Sequence, residues 1–276
     1  MYDQIIEGDL VKVNYGLTGK VNSVFDHVIN ISSDNYKGFA ITDQSVLMAP
    51  YHIKVTNSVF NKIKNQIDKN SGIIIDKNYI KYNNYLINFN KKNIFSGIIY
   101  KSTHNKNRII KDTEKILKNF AKKGSLDQTI VNYKSIIKYN RKSLSPLQNH
   151  FYKILGDIMD GKKNANDLLG LGIGLTPTGD DFIVGYLSAV EAGLCDDKYQ
   201  FRDVLTTKGI FNKTTNVSAL HLNGVLEHRF NAQLVELYKN IDDSDIKYMN
   251  NAKKLIKIGS TSGLDMLSGI YFALTM

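Results

Sequence analysis

Two short stretches of this 276-residue chain hold the residues whose types and spacing could do chemistry. The first reads Gly170-Leu171-Gly172-Ile173-Gly174-Leu175-Thr176-Pro177-Thr178-Gly179-Asp180-Asp181 and runs on into the apolar segment Phe182 to Val190. Glycine at this density permits positive φ and close approach of backbone. Thr178 or Asp180 stands where a cap of the following helix is expected, and both carboxylates fall in its first turn, where the helix dipole favours negative charge. The second stretch, Gly259-Ser260-Thr261-Ser262-Gly263-Leu264-Asp265, leads into Met266 to Ala273. Setting Gly179 on Gly263 also sets Thr178 on Ser262, Asp181 on Asp265, Gly185 on Gly269 and Ala189 on Ala273. The shared pattern is hydroxyl-Gly-x-Asp-x-x-x-Gly-x-x-x-Ala.

Two loop-to-helix units of one design are therefore expected, facing each other. Their N-termini would gather hydroxyls, backbone N–H groups and carboxylates, as ligand and metal sites do. On this reading Asp180, Asp181 and Asp265 are the catalytic carboxyls, and Gly172, Gly174, Thr176, Thr178, Gly179, Ser260, Ser262 and Gly263 bind substrate. The same pattern also serves two helices that pack at close range, with Asp181 and Asp265 as plain caps. No Gly-Lys-Ser/Thr follows the glycines, so this is not a phosphate-binding P-loop. A bare phosphate beside Asp180 and Asp181 would be repelled unless a lysine or Mg²⁺ intervened, which makes Mg²⁺ the one cofactor the pattern leaves open.

Between the two stretches lies Thr214-Thr215-Asn216-Val217-Ser218-Ala219-Leu220-His221, continuing to Glu227-His228-Arg229-Phe230. Asn216 or Ser218 can start a helix there and both would bind substrate; on that helix Ser218, His221 and His228 fall near one stripe that could line the pocket with Glu227, and His221 is the further catalytic candidate. The two histidines are seven apart rather than four, so a zinc site is not expected. Cys195, the single cysteine, reads as a packing residue and excludes an internal disulfide framework. On the N-terminal side, Lys20 and His27 are the candidates for an anion-facing edge.

These residues need elements to position them. Residues 1–104 read as a β-rich domain: short runs at 10–15, 21–31, 38–42, 45–48, 52–55, 72–76, 79–82 and 85–89 are separated by turn residues, and residues 57–68 have helical spacing. A small barrel or sandwich is expected. Residues 105–276 read as a mainly α-helical domain carrying the glycine-rich loops. Helices are expected over 109–120 and 130–139, and another starts at Ser145-Pro146 with a cap followed by proline. The whole is an α+β chain in which an N-terminal β part packs on a C-terminal helical part, with the boundary near 100–145.

The net charge is +10, unevenly spread. Residues 1–50 carry 3 basic and 6 acidic side chains, residues 51–150 carry 20 and 5, and residues 151–276 carry 13 and 15. The middle block holds only two arginines, Arg108 and Arg141, the residue type that reads phosphates and bases best. Its lysines read as solvated surface, and no nucleic acid is expected as a partner. No apolar run reaches the roughly 18–20 residues that span a bilayer, and no signal segment opens the chain, so a cytoplasmic protein without membrane contact is expected.

The motifs resemble those of a bacterial family long catalogued as a domain of unknown function, which includes the small third subunit of oxamate carbamoyltransferase. The match rests on Gly-x-Gly-x-Gly-Leu-Thr-Pro-x-Gly-Asp-Asp-Phe from Gly170 to Phe182, on Thr215-Asn216-x-Ser218, on the block from Gly259 to Gly269, and on Gly19-x-Val21-x-Ser23-Val24-Phe25. It covers most of the chain. It departs from the family pattern at Leu222-Asn223 and Glu227-His228. The resemblance implies membership of a multi-subunit enzyme that interconverts oxalurate plus phosphate with oxamate plus carbamoyl phosphate, with partner subunits like acyl-CoA synthetases. It implies a small anionic substrate; self-association into a homo-oligomer stays open. Two other readings of the residues remain: a Mg²⁺-dependent hydrolase using the paired aspartates, and a non-catalytic scaffold subunit.

Overall fold

The computed structural model describes residues 5–33, 35–89, 92–101, 105–120, 122, 124–138, 144–239 and 245–276. Residues 102–104 and 139–143, inside the expected boundary region, lie outside the described residues. The chain divides into two compact units, Met1–Ile98 with Arg229–Ala232, and Ile99–His228 with Gln233–Met276.

The first unit is built on one curled nine-stranded sheet, a half-barrel. Its strands are β1 (Ile5–Gly8), β2 (Thr18–Val24), β3 (Val28–Ser33), β4 (Lys37–Thr42), β5 (His52–Lys54), β6 (Gly72–Ile75), β7 (Tyr79–Tyr82), β8 (Tyr85–Asn88) and β9 (Lys92–Phe95). They lie in the order β8-β7-β6-β2-β3-β4-β5-β1-β9. The pairs β4/β5 and β1/β9 are parallel and the others antiparallel. Ile29, Ile31, Ile41, Ile53, Ile73 and Ile75 fill the core with Val59, Phe60 and Ile63 of helix α1 (Asn57–Lys64).

Three local expectations are corrected here. Residues 10–15 alternate like a strand, but Val11–Asn14 is a 3₁₀ turn. The buried Asn14 amide donates to the Gly38 carbonyl at 3.0 Å, which favours the turn over a ladder. The long β-branched run at 21–31 is a hairpin, turned where Phe25 N–H donates to the Val28 carbonyl at 2.8 Å. Residues 45–48 form no strand, because the Asp43 carboxylate accepts from Ser45 N–H at 2.9 Å and from its hydroxyl at 2.6 Å and bends the chain.

The second unit is mainly helical: α2 (Lys106–Asn119), α3 (Tyr133–Lys138), α4 (Pro146–Met159), α5 (Thr178–Glu191), α6 (Phe201–Val204), α7 (Thr207–Lys213), α8 (Asn216–Leu226), α9 (Ala232–Tyr238), α10 (Asp245–Leu255) and α11 (Ser262–Thr275). α4 starts at the expected place, with a capping box between Ser145 and Gln148 and proline at its first position. The helix expected over 130–139 is a 3₁₀ stretch, Asp127–Asn132, followed by α3; Tyr139 lies outside the described residues. α5 and α11 are buried on all sides for most of their length, as helices at a centre must be. They cross with almost no space between their backbones. A Cβ on Gly185 would stand 1.9 Å from the Met266 carbonyl oxygen, and one on Gly269 would stand 2.1 Å from that of Phe182. The paired glycines are there for this crossing.

Candidate functional site

The α5/α11 crossing sets the two N-terminal turns side by side. Asp180, Asp181 and Asp265 are all buried. Their environments differ, and the difference decides what each can do.

Asp180 is fully engaged. Its Oδ1 accepts from Gly170 N–H at 2.8 Å, and its Oδ2 accepts from the Ser218 hydroxyl at 2.6 Å and from the Thr214 hydroxyl. It thereby ties the start of the glycine-rich loop, the end of α7 and the first turn of α8 to α5. Burial nevertheless raises its pKa, against the pull of these three donors. The expectation that Thr178 or Asp180 caps α5 is overturned. Pro177 occupies the cap position with no side-chain bond, and its carbonyl accepts from Asp180 and Asp181 N–H at 3.0 and 3.1 Å. The Asp180 carboxyl is spent on other elements instead.

Asp181 is 2 % exposed, and its Oδ2 has no hydrogen-bond partner among the described residues. Burial pushes its pKa well above the ordinary carboxylate value. The Ser262 and Thr176 hydroxyls moderate the rise, and the neighbouring Asp265 and Asp180 add to it. No lysine, arginine or histidine is among the groups that act on either Asp180 or Asp181. Thr176 and Ser262 also bond each other at 2.8 Å, one hydroxyl from each unit. Asp265 does not cap its own helix: its Oδ1 accepts from Leu126 N–H at 2.8 Å, joining α11 to the segment before α3.

The glycines divide into two kinds. Gly179 and Gly263 are pressed against carbonyl oxygens, with a Cβ reaching 2.0 Å from that of Leu168 and 1.9 Å from that of Leu255. Their N–H groups donate to Leu171 and Ile258 carbonyls. Those of Asp180, Asp181, Leu264 and Asp265 are also used inside the turns. Gly172 and Gly174 instead have positive φ, +130° and +97°, and shape the loop. Gly172 backs onto Thr178 N at 2.6 Å from its would-be Cβ, and Gly174 has open space. Ser260 is exposed in the turn before α11.

α8 starts at Asn216, one of the two expected places. Thr215 is its cap, accepting from Ser218 N–H at 3.1 Å and donating to the Leu175 carbonyl in the glycine-rich loop; Asn216 stands exposed at the first position. Ser218 reaches the Asp180 carboxyl, as described. His221 is half-buried on α8, and burial lowers its pKa, which keeps the ring neutral. It is not among the groups acting on Asp180 or Asp181. α8 ends at Leu226, which breaks the expected stripe: His228 follows with φ +58° and its Nδ1 lies 2.8 Å from Glu191 Oε2. Cys195 is a packing thiol, pushed up to about 11 by burial. In the first unit, His27 Nδ1 pairs with Asp43 Oδ2 at 2.7 Å.

Thr214 and Leu126 are site-building residues that the motif reading did not single out, and Thr215 stood in a family motif without an assigned role. The adjacent hydroxyls Thr214-Thr215 before a helix start were the available signal; nothing in sequence marks Leu126. Among the described residues, no group of three or more His, Cys, Asp and Glu side chains could hold a metal ion. No described helix is long and apolar enough to cross a membrane. What the arrangement offers is a buried carboxyl, Asp181, whose pKa burial pushes well above the ordinary value and whose Oδ2 accepts no hydrogen bond among the described residues. Such a group can donate a hydrogen bond or a proton.

Comparison with known proteins bears on this second unit first. A family model described as "Oxamate carbamoyltransferase subunit AllH" matches residues 168–274, and a model described as "AllH family N-terminal domain" matches residues 4–94. No solved structure gives a significant match.

Proposed function

The chain belongs to the AllH family of oxamate carbamoyltransferase subunits, and from that premise we propose that it works in a multi-subunit enzyme converting oxalurate plus phosphate to oxamate plus carbamoyl phosphate, with Asp181 as its proton-transfer group. The observation that carries the site is the uncommitted, buried Asp181 Oδ2 inside the matched stretch. In the reaction a phosphate oxygen attacks the carbamoyl carbon of oxalurate. The carbon–nitrogen bond breaks, and its electron pair goes to the oxamate nitrogen, which must take up a proton. A carboxyl whose pKa burial raises well above the ordinary value can supply it, and the proton on the attacking hydrogen phosphate restores the acid.

The residues around it act by position. Thr176 and Ser262 orient the Asp181 carboxyl from the two units. Asp180 holds loop, α5 and α8 in register. The substrate is a small anion. The experiment is reconstitution. The other subunits are assayed for phosphate-dependent carbamoyl phosphate formation from oxalurate with and without this chain. The reading expects activity to require it; equal activity in its absence overturns the reading.

A further inference from the structure

Among its described residues the second unit leaves four large apolar side chains exposed, Tyr100, Phe120, Ile173 and Leu175. Within residues 168–274, Ile173 and Leu175 are the only large apolar residues among those described that stand out as exposed, at 89 % and 49 %. They sit two apart on one loop tip, with Gly174 between them at φ +97° and no atom within 4 Å of its would-be Cβ. Ile173 is the most exposed large apolar side chain among the described residues. An isolated exposed leucine needs no explanation, but a pair on one projecting tip does.

The tip is also held still. Gly170 N–H is fixed on Asp180, Gly179 N–H on the Leu171 carbonyl at 2.8 Å, the Leu175 carbonyl on Thr215, and Thr176 on Ser262. A side chain presented on a loop already fixed in shape loses little entropy on docking, which is how anchor residues gain their weight in interfaces. From Gly170 to Pro177 the loop carries no charge, in a chain with 62 Lys, Arg, Asp and Glu residues (36 basic and 26 acidic). An uncharged apolar tip suits a desolvated pocket, and a chain that is a subunit must offer some surface to the rest of its enzyme.

We infer that the Ile173-Gly174-Leu175 tip is the anchor by which this subunit inserts into an uncharged apolar pocket of a partner subunit of the same enzyme. The inference rests on the subunit role proposed above. It brings the tip's anchoring threonines, and Asp181 behind them, to the subunit junction.

The test uses the full chain and the remaining subunits, titrated in sedimentation-velocity runs. The variants are Ile173→Asp, Ile173→Ser and, on β8 of the first unit, the exposed control Leu86→Asp. The expected result is an affinity for the partner at least tenfold weaker for both Ile173 variants, unchanged melting temperatures, and normal assembly of Leu86→Asp. Carbamoyl phosphate formation should return when partner is added in excess, because the tip docks and does no chemistry. Equal assembly of Ile173→Asp and wild type overturns the anchor while leaving the subunit role standing. A change in self-association alone overturns it in favour of a second copy as the occupant. If the wild-type chain fails to assemble with the other subunits, the subunit reading itself falls and the anchor with it.

Discussion

The units around α5 and α11 share a spacing but not a task. Each has a hydroxyl, a glycine, an aspartate two residues on, and a second glycine that lets the helices touch. In α11 the aspartate uses one oxygen on a neighbour, accepting Leu126 N–H at 2.8 Å, while its other oxygen is buried like Asp181 Oδ2. In α5 the extra carboxyl Asp180, opposite Leu264 in the α11 unit, takes the tying role with three donors, and Asp181 is left to the Thr176 and Ser262 hydroxyls. The repeat therefore encodes the helix crossing, and the two units part at Asp180, which has no counterpart in α11. A sequence pattern that recurs inside one chain says first what must pack.

Substitutions can break or sharpen that contrast. The crossing itself should be the most sensitive. Gly185→Ala and Gly269→Ala both force a Cβ into a carbonyl about 2 Å away, where the backbones must part, at a cost of about 3 kcal/mol or more each. Denaturant titration should show similar losses for the two; tolerance of either would mean the crossing is not the shared purpose. Next, Asp180→Asn replaces an acceptor of three bonds by a group with one acceptor oxygen, and should cost about 2–4 kcal/mol. Asp265→Asn, which can keep its oxygen on Leu126 N–H, should cost less. Removing the α8 cap with Thr215→Ala should cost about 1 kcal/mol and loosen the loop through the lost bond to the Leu175 carbonyl.

Asp181 gives the contrast a pH signature. Its folded pKa lies well above the unfolded value, so between those two values the folded state binds more protons and stability falls as pH rises. Asp181→Asn cannot ionise. Melting temperatures of variant and wild type should agree near pH 4 and separate as pH rises, with the variant the more stable. A constant difference from pH 4 to pH 8 would mean that Asp181 is not held protonated.

Much of this was legible in the sequence. The facing of the two units follows from matched glycines, which only a close crossing requires. The helix starting at Ser145-Pro146 follows from cap chemistry. The strand reading failed at residues 10–15 and 45–48, where an asparagine amide and an aspartate carboxylate bond to nearby backbone and outweigh apolar alternation. The division of labour between Asp180 and Asp181 was not legible. It depends on which donors surround each carboxyl, and those arrive from the end of α7, from α8 and from α11, far along the chain. The expected histidine stripe failed because α8 stops at Leu226, and local spacing does not show where a helix gives way to a residue of positive φ such as His228.

The most direct test of the central claim is the rate of carbamoyl phosphate formation by the complex reconstituted with Asp181→Asn, read beside its melting temperature. Positioned proton donors contribute roughly 10²–10⁴-fold to rate. The account predicts a fall in kcat of at least about 10²-fold, with assembly intact and stability at neutral pH equal to or above that of the wild type. Wild-type kcat in a properly assembled Asp181→Asn complex would contradict it.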